Sequence, residues 1–256
     1  TVNNLRFADD IDLIAESPEQ LQELTTWVND SSKRFGLKIN VQKTKTMTIG
    51  KYQQEIKINL DNEELQQVKE FVYLGGLVTS DGQCSMDIKR RIGLASAMMG
   101  KFSKIWKSQN ISTSTKLKLY EVFVISVLLY GSECWCLHKT DEKKLLVAEM
   151  SWLRRILGVT RRDKIRNERV RTYLQQQETI VEKIRQKRMK WFGHVTRMGG
   201  ERLPVRALHC HVEGTRSRGR QTKKWIDNIK EDLGRHNLDV RTAVNMARQS
   251  TLEKSC

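Results

Sequence analysis

One short stretch near the start constrains the fold of this chain more than any other. Two apolar-rich runs, Leu5-Arg6-Phe7-Ala8 and Ile11-Asp12-Leu13-Ile14-Ala15, flank the dipeptide Asp9-Asp10. Apolar runs on either side of a turn-forming acidic pair predict a β-hairpin whose tip presents both carboxylates. Two hard oxygen donors at a turn suit a Mg²⁺ ion that must also hold phosphate oxygens. An acidic dipeptide is also an ordinary polar turn, and the pair alone does not separate the two readings.

The next residues continue with alternating element signals. Ser17-Pro18-Glu19 is a helix start, with an N-cap, a proline in the first turn and an acid facing the positive helix end. Leu21, Leu24, Val28 and Phe35 recur at helical spacing, and Gly36 ends the helix. Residues 43–49 alternate polar with apolar or β-branched side chains, the pattern of a half-buried strand. Residues 56–60 and 71–78 predict further strands, with Asp61-Asn62 as a turn between them. The Gly75-Gly76 pair permits close approach of another backbone or a nucleic-acid strand, and equally fits a bulge or bend.

From Asp81-Gly82 onward the strand signals stop. Residues 86–106 predict one helix, with Ile88, Ile92, Ala95, Met99, Phe102 and Trp106 on one face. Ser112 to Thr115 offers N-caps for a second helix, whose apolar end, Val122 to Tyr130, is expected at the buried centre of a bundle. Thr140-Asp141-Glu142 caps a third, closed by Gly158, and three helices on short links make a compact bundle. Residues 167–175 and 179–198 predict two more helices, the second carrying Lys183, Arg185, Lys187, Arg188, Lys190 and Arg197. Trp191-Phe192 is assigned to packing rather than to base stacking. In the loop Gly214 to Arg220, Arg216, Arg218 and Arg220 have the chemistry to bind phosphates without sequence preference. Helices over residues 222–233 and 239–249 close the chain.

Charge sharpens this division. Residues 1–83 hold 9 Lys and Arg against 13 Asp and Glu, a net of −4, while residues 84–256 hold 37 against 17, a net of +20. An excess of that size is more than solvation of helices requires and favours a polyanionic partner, nucleic acid. No run of about eighteen apolar residues exists, so no membrane span is expected. Five scattered cysteines argue for reduced thiols in an intracellular compartment, nuclear or cytoplasmic, and against secretion. Cys134-x-Cys136-x-His138 and His209-Cys210-His211 lack the paired spacing of a structural zinc site.

Phe7-Ala8-Asp9-Asp10 resembles the catalytic signature of reverse transcriptases, an aromatic, a variable residue and two aspartates capping a palm hairpin. The resemblance continues in order. Residues Gly36 to Lys45 are similar to the block after that hairpin in non-LTR (LINE-type) retrotransposons, and Phe71-Val72-Tyr73-Leu74-Gly75 is similar to the primer grip. Leu128 to Trp135, Trp191 to Met198, and Arg218-Gly219-Arg220 followed by Trp225-Ile226-Asp227 are similar to the downstream region of the same elements.

The resemblance implies an α+β fold. Residues 1–83 would be the C-terminal part of a polymerase palm, 84–160 a helical-bundle thumb and 161–256 a basic helical extension. It implies RNA-templated DNA synthesis, in which a primer 3′-hydroxyl attacks the α-phosphate of a dNTP with two Mg²⁺ ions bridging the charges. Asp9 would be the principal metal ligand and Asp10 a supporting one. Lys43 and Lys45 would be the cations near the incoming nucleotide, placed to neutralise or protonate departing pyrophosphate, although each also fits a plain exposed strand lysine. Tyr73, Gly75 and Gly76 would meet the primer end. The partners implied are an RNA template, a DNA primer and dNTP. The family's further palm aspartate and its fingers find no counterpart among these residues, so a fragment that is inactive alone is expected. The rival reading is a remnant or domesticated module that grips nucleic acid without catalysis.

Overall fold

A computed structural model describes residues 3–50, 54–210 and 223–252. The chain divides into two compact units, Thr1–Gln83 and Cys84–Cys256. Small sheets occur in the first and helices dominate the second, an α+β composition.

The first unit opens with a hairpin, β1 (Asn4–Phe7) and β2 (Asp10–Leu13), paired antiparallel with Phe7 opposite Asp10 and Leu5 opposite Asp12. Helix α1 (Pro18–Arg34) follows, its N-cap Ser17 accepting from the Gln20 N–H and Pro18 standing at its first position. Gly36, at φ +72°, lies just beyond its end. Then come β3 (Lys45–Thr46), β4 (Asn59–Leu60), β5 (Glu63–Glu64), β6 (Gln66–Gln67), β7 (Glu70–Tyr73) and β8 (Gly76–Thr79). The small core is Ile58, Leu60 and Leu65, covered by Leu21 of α1 and by Ile39, Val41 and Ile56. Gln22 locks helix to strand, its side chain donating to the Asn59 carbonyl at 2.9 Å and accepting from the Asn59 N–H at 2.8 Å.

Several strand expectations change here: the strand expected over residues 56–60 shrinks to β4, and the single strand expected over residues 71–78 is a hairpin of β7 and β8. The strand expected over residues 43–49 shrinks to the two residues of β3, which pair parallel with β6. Asn40 is the reason: its side chain accepts from the Lys43 N–H and its carbonyl from the Thr44 N–H, which curls the chain into a turn just before the strand. The turn expected at Asp61-Asn62 forms, with both residues at positive φ, but it joins β4 to β5 rather than to the strand starting near residue 71.

The second unit is built on α2 (Ser85–Lys101), α3 (Ser103–Lys107), α4 (Thr113–Tyr120), α5 (Ser126–Leu128), α6 (Lys139–Leu157), α7 (Asn167–Leu174), α8 (Ile180–Arg197), α9 (Leu203–His209), α10 (Trp225–Gly234) and α11 (Val240–Leu252). One continuous core takes Ile88, Ala95 and Met99 from α2, Trp106 from α3, Leu145, Leu153 and Ile156 from α6, Val170 and Leu174 from α7, and Ile180, Val181 and Ile184 from α8. Residues on both sides of position 160 therefore share one packed interior. A second cluster forms where Phe192 of α8 meets Ile229 and Leu233 of α10. Among the described residues no helix is long and apolar enough to cross a membrane.

Two helical expectations are also corrected. The helix expected over residues 86–106 breaks at Phe102 into α2 and α3. The apolar run from Val122 to Tyr130 is not wholly buried. A π-helical turn over Glu121–Ile125 widens the helix between α4 and α5, and Val124, Ile125, Leu128 and Leu129 are buried while Val122, Phe123 and Tyr130 face solvent.

Candidate active site

The hairpin tip differs in one detail from the simplest sequence reading. Its two turn residues are Ala8 and Asp9, and Asp10 is already the first residue of β2. Ala8 sits at φ +53°, a conformation an L-residue adopts at a cost of about 1–2 kcal/mol. Asp9 and Asp10 are both exposed. Residues two apart on a strand share a face, so Asp10 and Asp12 point to the same side of β2, together with Leu5 and Phe7 across the ladder. Asp12 is half-buried, and burial pushes its carboxyl above the ordinary carboxylate range.

The same unit brings Tyr73 to these carboxylates. The Tyr73 phenol is pushed up first by burial and then by the negative charges of Asp12 and Asp10. Tyr73 is separated from them by about sixty residues of chain, which no local pattern could bridge. It lies at the end of β7, where β7 and β8 pair from Glu70–Thr79 to Tyr73–Gly76. The connecting turn is Leu74-Gly75, at φ +45° and +80°. Positive φ at both central positions matches the right-handed twist of the strands, and glycine meets that demand without strain at the second position.

The two glycines therefore separate. Gly75 is needed by the turn, whereas Gly76 lies in β8, and a Cβ there would meet only the Tyr73 carbonyl at 3.6 Å. Gly75→Ala should cost about 1–2 kcal/mol of stability in urea unfolding, and Gly76→Ala should leave it nearly unchanged. Equal losses would mean that backbone conformation does not distinguish the two positions.

The lysines are placed differently. Lys43 is exposed in the Asn40 turn, and Lys45 Nζ donates to Gln66 Oε1 at 2.7 Å. No hydrogen bond or ion pair links either to Asp9 or Asp10 among the described residues. Arg216, Arg218 and Arg220 lie outside the described residues.

Asp9 and Asp10 offer the hard oxygens that a divalent ion such as Mg²⁺ takes. Their number falls short of a ligand set. Among the described residues no three His, Cys, Asp or Glu side chains converge closely enough to hold a metal ion. The second unit instead brings together thiols distant in sequence: the Cys136 N–H donates to Cys84 Sγ at 3.4 Å, and the Cys136 thiol donates to the Lys223 carbonyl at 3.1 Å. Burial, and then neighbouring Cys84, push the Cys136 thiol up to about 11. At pH 8 its thiolate fraction is then on the order of 10⁻³. Iodoacetamide should label Cys136 roughly a hundredfold more slowly in the native chain than in urea; equal labelling by mass spectrometry would contradict this environment.

Residues 1–78, which contain the hairpin, the following helix and nearly all of the Tyr73 hairpin, match the family model of reverse transcriptases, RNA-dependent DNA polymerases. These residues are reverse transcriptase-like. The whole chain is also similar to a transposon-derived protein of Caenorhabditis elegans, 26% identical over 247 residues, covering 93% of this chain and 88% of that relative. No solved structure matches. Within the reverse transcriptase-like segment, the acidic pair is legible in the sequence, while the shared face of Asp10 and Asp12 comes from strand register and the influence of their charges on Tyr73 from packing.

Proposed function

We propose that this chain is part of a non-LTR retrotransposon RNA-directed DNA polymerase, with the first unit as palm and the second as thumb and basic extension. The observation that carries the proposal is the exposed Asp9-Asp10 tip within a segment that matches the reverse transcriptase family. Asp9 is the principal ligand for a divalent ion, taken to be Mg²⁺, and Asp10 the supporting one. When bound, such an ion supplies charge stabilisation for nucleotidyl transfer from dNTP to a primer.

The chain's own residues then have limited, separate tasks. The β1–β2 ladder fixes where the two carboxylates stand. Asp12, half-buried on the Asp10 face, is a neighbour of the site rather than a first ligand. Tyr73 and the tight turn behind it form the surface that meets the primer end, and Gly76 leaves room for a strand to pass close by. Lys43 and Lys45 remain candidates for the pyrophosphate side. The second unit, with its excess of cations, holds the RNA template and the DNA primer.

Primer extension on an RNA template tests the proposal. The chain is supplied with a family-type fingers and upstream palm segment. Incorporation that requires Asp9 supports it, and duplex binding without any incorporation would favour the noncatalytic nucleic-acid-binding module.

A further inference from the structure

Two groups of cations in the second unit differ in what surrounds them. Those on α8 are largely engaged inside the protein. Lys183 pairs with Glu121, Arg185 bridges Glu142 at 3.0 Å and Asp232 at 3.4 Å, and Lys187 donates to the Leu129 carbonyl at 2.8 Å. Arg188, only 1% exposed, pairs with Asp232 at 3.0 Å. Turning Arg185 and Arg188 toward an outside phosphate would strand buried Asp232 without a partner. The positive stripe that the sequence writes along α8 is therefore mostly internal glue.

The second group lies on the loop between α6 and α7 and on the first turn of α7. Arg161, Arg162, Lys164, Arg166 and Arg169 are all exposed, and none forms an ion pair among the described residues. The two acids within the same nine residues are Asp163 and Glu168. Asp163 is engaged by Thr160, whose N–H donates to it at 2.6 Å and holds its carboxyl below the usual range.

The loop backbone is held in place. Thr160 caps a short 3₁₀ turn over Arg161–Asp163, and Lys164 at φ +52° redirects the chain. Arg154 of α6 donates to the Ile165 carbonyl at 3.1 Å and to Asn167 Oδ1 at 2.7 Å. Ile165 packs against the main core. Five cations thus project from a fixed frame, and a frame already ordered loses less freedom on binding than a floppy basic tail.

We propose that the Arg161–Arg169 segment, the loop and the start of α7, is a binding surface for the phosphate backbone of duplex nucleic acid. The inference rests on the reading that the second unit handles nucleic acid, and it places that contact away from α8. Single-strand binders stack successive bases on several aromatics, whereas residues 161–169 contain none and the exposed aromatic next along the chain is Tyr173 of α7. Guanidinium groups without a base-stacking platform suit sequence-independent contact with phosphates.

The test follows anisotropy of a short labelled DNA duplex with the whole chain over a salt series. Arg161→Ala/Arg162→Ala/Lys164→Ala/Arg166→Ala should make the log–log salt slope shallower by about 2–4, at about 0.9 for each phosphate no longer neutralised. Replacing the three arginines by Lys, with Lys164 left in place, should keep most of the slope. Lys89→Ala/Lys101→Ala/Lys104→Ala/Lys107→Ala removes the same charge from exposed positions on α2 and α3 and should change the slope by less than about 1. An equal loss in that control, or a loop variant with the parent slope, overturns the inference while leaving the polymerase reading intact. A loss confined to single strands overturns it as well. A parent chain that binds no duplex at any salt overturns both.

Discussion

Primer extension on an RNA template is expected to give no product from this chain alone. Nucleotidyl transfer with two metal ions about 3.5–4 Å apart needs carboxylates converging from more than one element. Asp9 occupies a turn, Asp10 opens the returning strand, and the described residues bring no third acid close enough to complete a site. Asp12 shares the Asp10 face but is half-buried on it, whereas Asp9 and Asp10 are exposed. With a family-type segment supplying the missing carboxylate and the roof over the nucleotide, incorporation should appear. Asp9→Asn should then lower it on the order of a thousandfold, the scale seen when a principal stabiliser of transition-state charge is removed. Asp12→Asn should leave most of it. Extension by the chain alone that Asp9→Asn abolishes would show that its own residues complete the site.

The largest single loss of stability is expected at Glu149. This side chain of α6 is 4% exposed, pairs with Arg171 of α7, and accepts from the Ile180 N–H at the start of α8 at 3.0 Å. One carboxylate therefore ties three helices together and satisfies a helix N-terminus as well. Glu149→Ala would strip the carboxylate from the Arg171 guanidinium, which keeps the Gln176 and Glu178 carbonyls, and leave a buried N–H without its acceptor, at a cost of about 3 kcal/mol. Glu149→Gln keeps an acceptor for Ile180 and should cost less. Glu168→Ala, at an exposed position, should stay within about 0.5 kcal/mol. Urea unfolding followed by the fluorescence of buried Trp106, Trp135 and Trp152 reads all three. A Glu149→Ala loss no greater than that of Glu168→Ala would mean that the junction contributes nothing.

Much of this molecule is written in local order. The hairpin around Asp9-Asp10, the Ser17-Pro18 helix start, the Gly158 stop at φ +78° and the helix starting beside Thr179 all formed where residue type and spacing placed them. Each depends on neighbours within about ten positions, so the local sequence carries the cause. The composition of the second unit as helical was legible for the same reason, since apolar spacing at a helical period is a local signal.

Tertiary structure decided what partner each polar group found. Lys and Arg on α8 look in sequence like a surface stripe, and only packing turns Lys183, Arg185 and Arg188 toward Glu121, Glu142 and Asp232. The same packing leaves the Arg161–Arg169 segment exposed, a run the sequence pattern did not single out. It also joins Cys84 to Cys136 and Tyr73 to the charges of Asp12 and Asp10, across dozens of residues in each case. Short-range hydrogen bonding and backbone sterics selected the elements. The cost of burying a charge without a partner, which depends on residues far away in the chain, selected how those elements could be assembled.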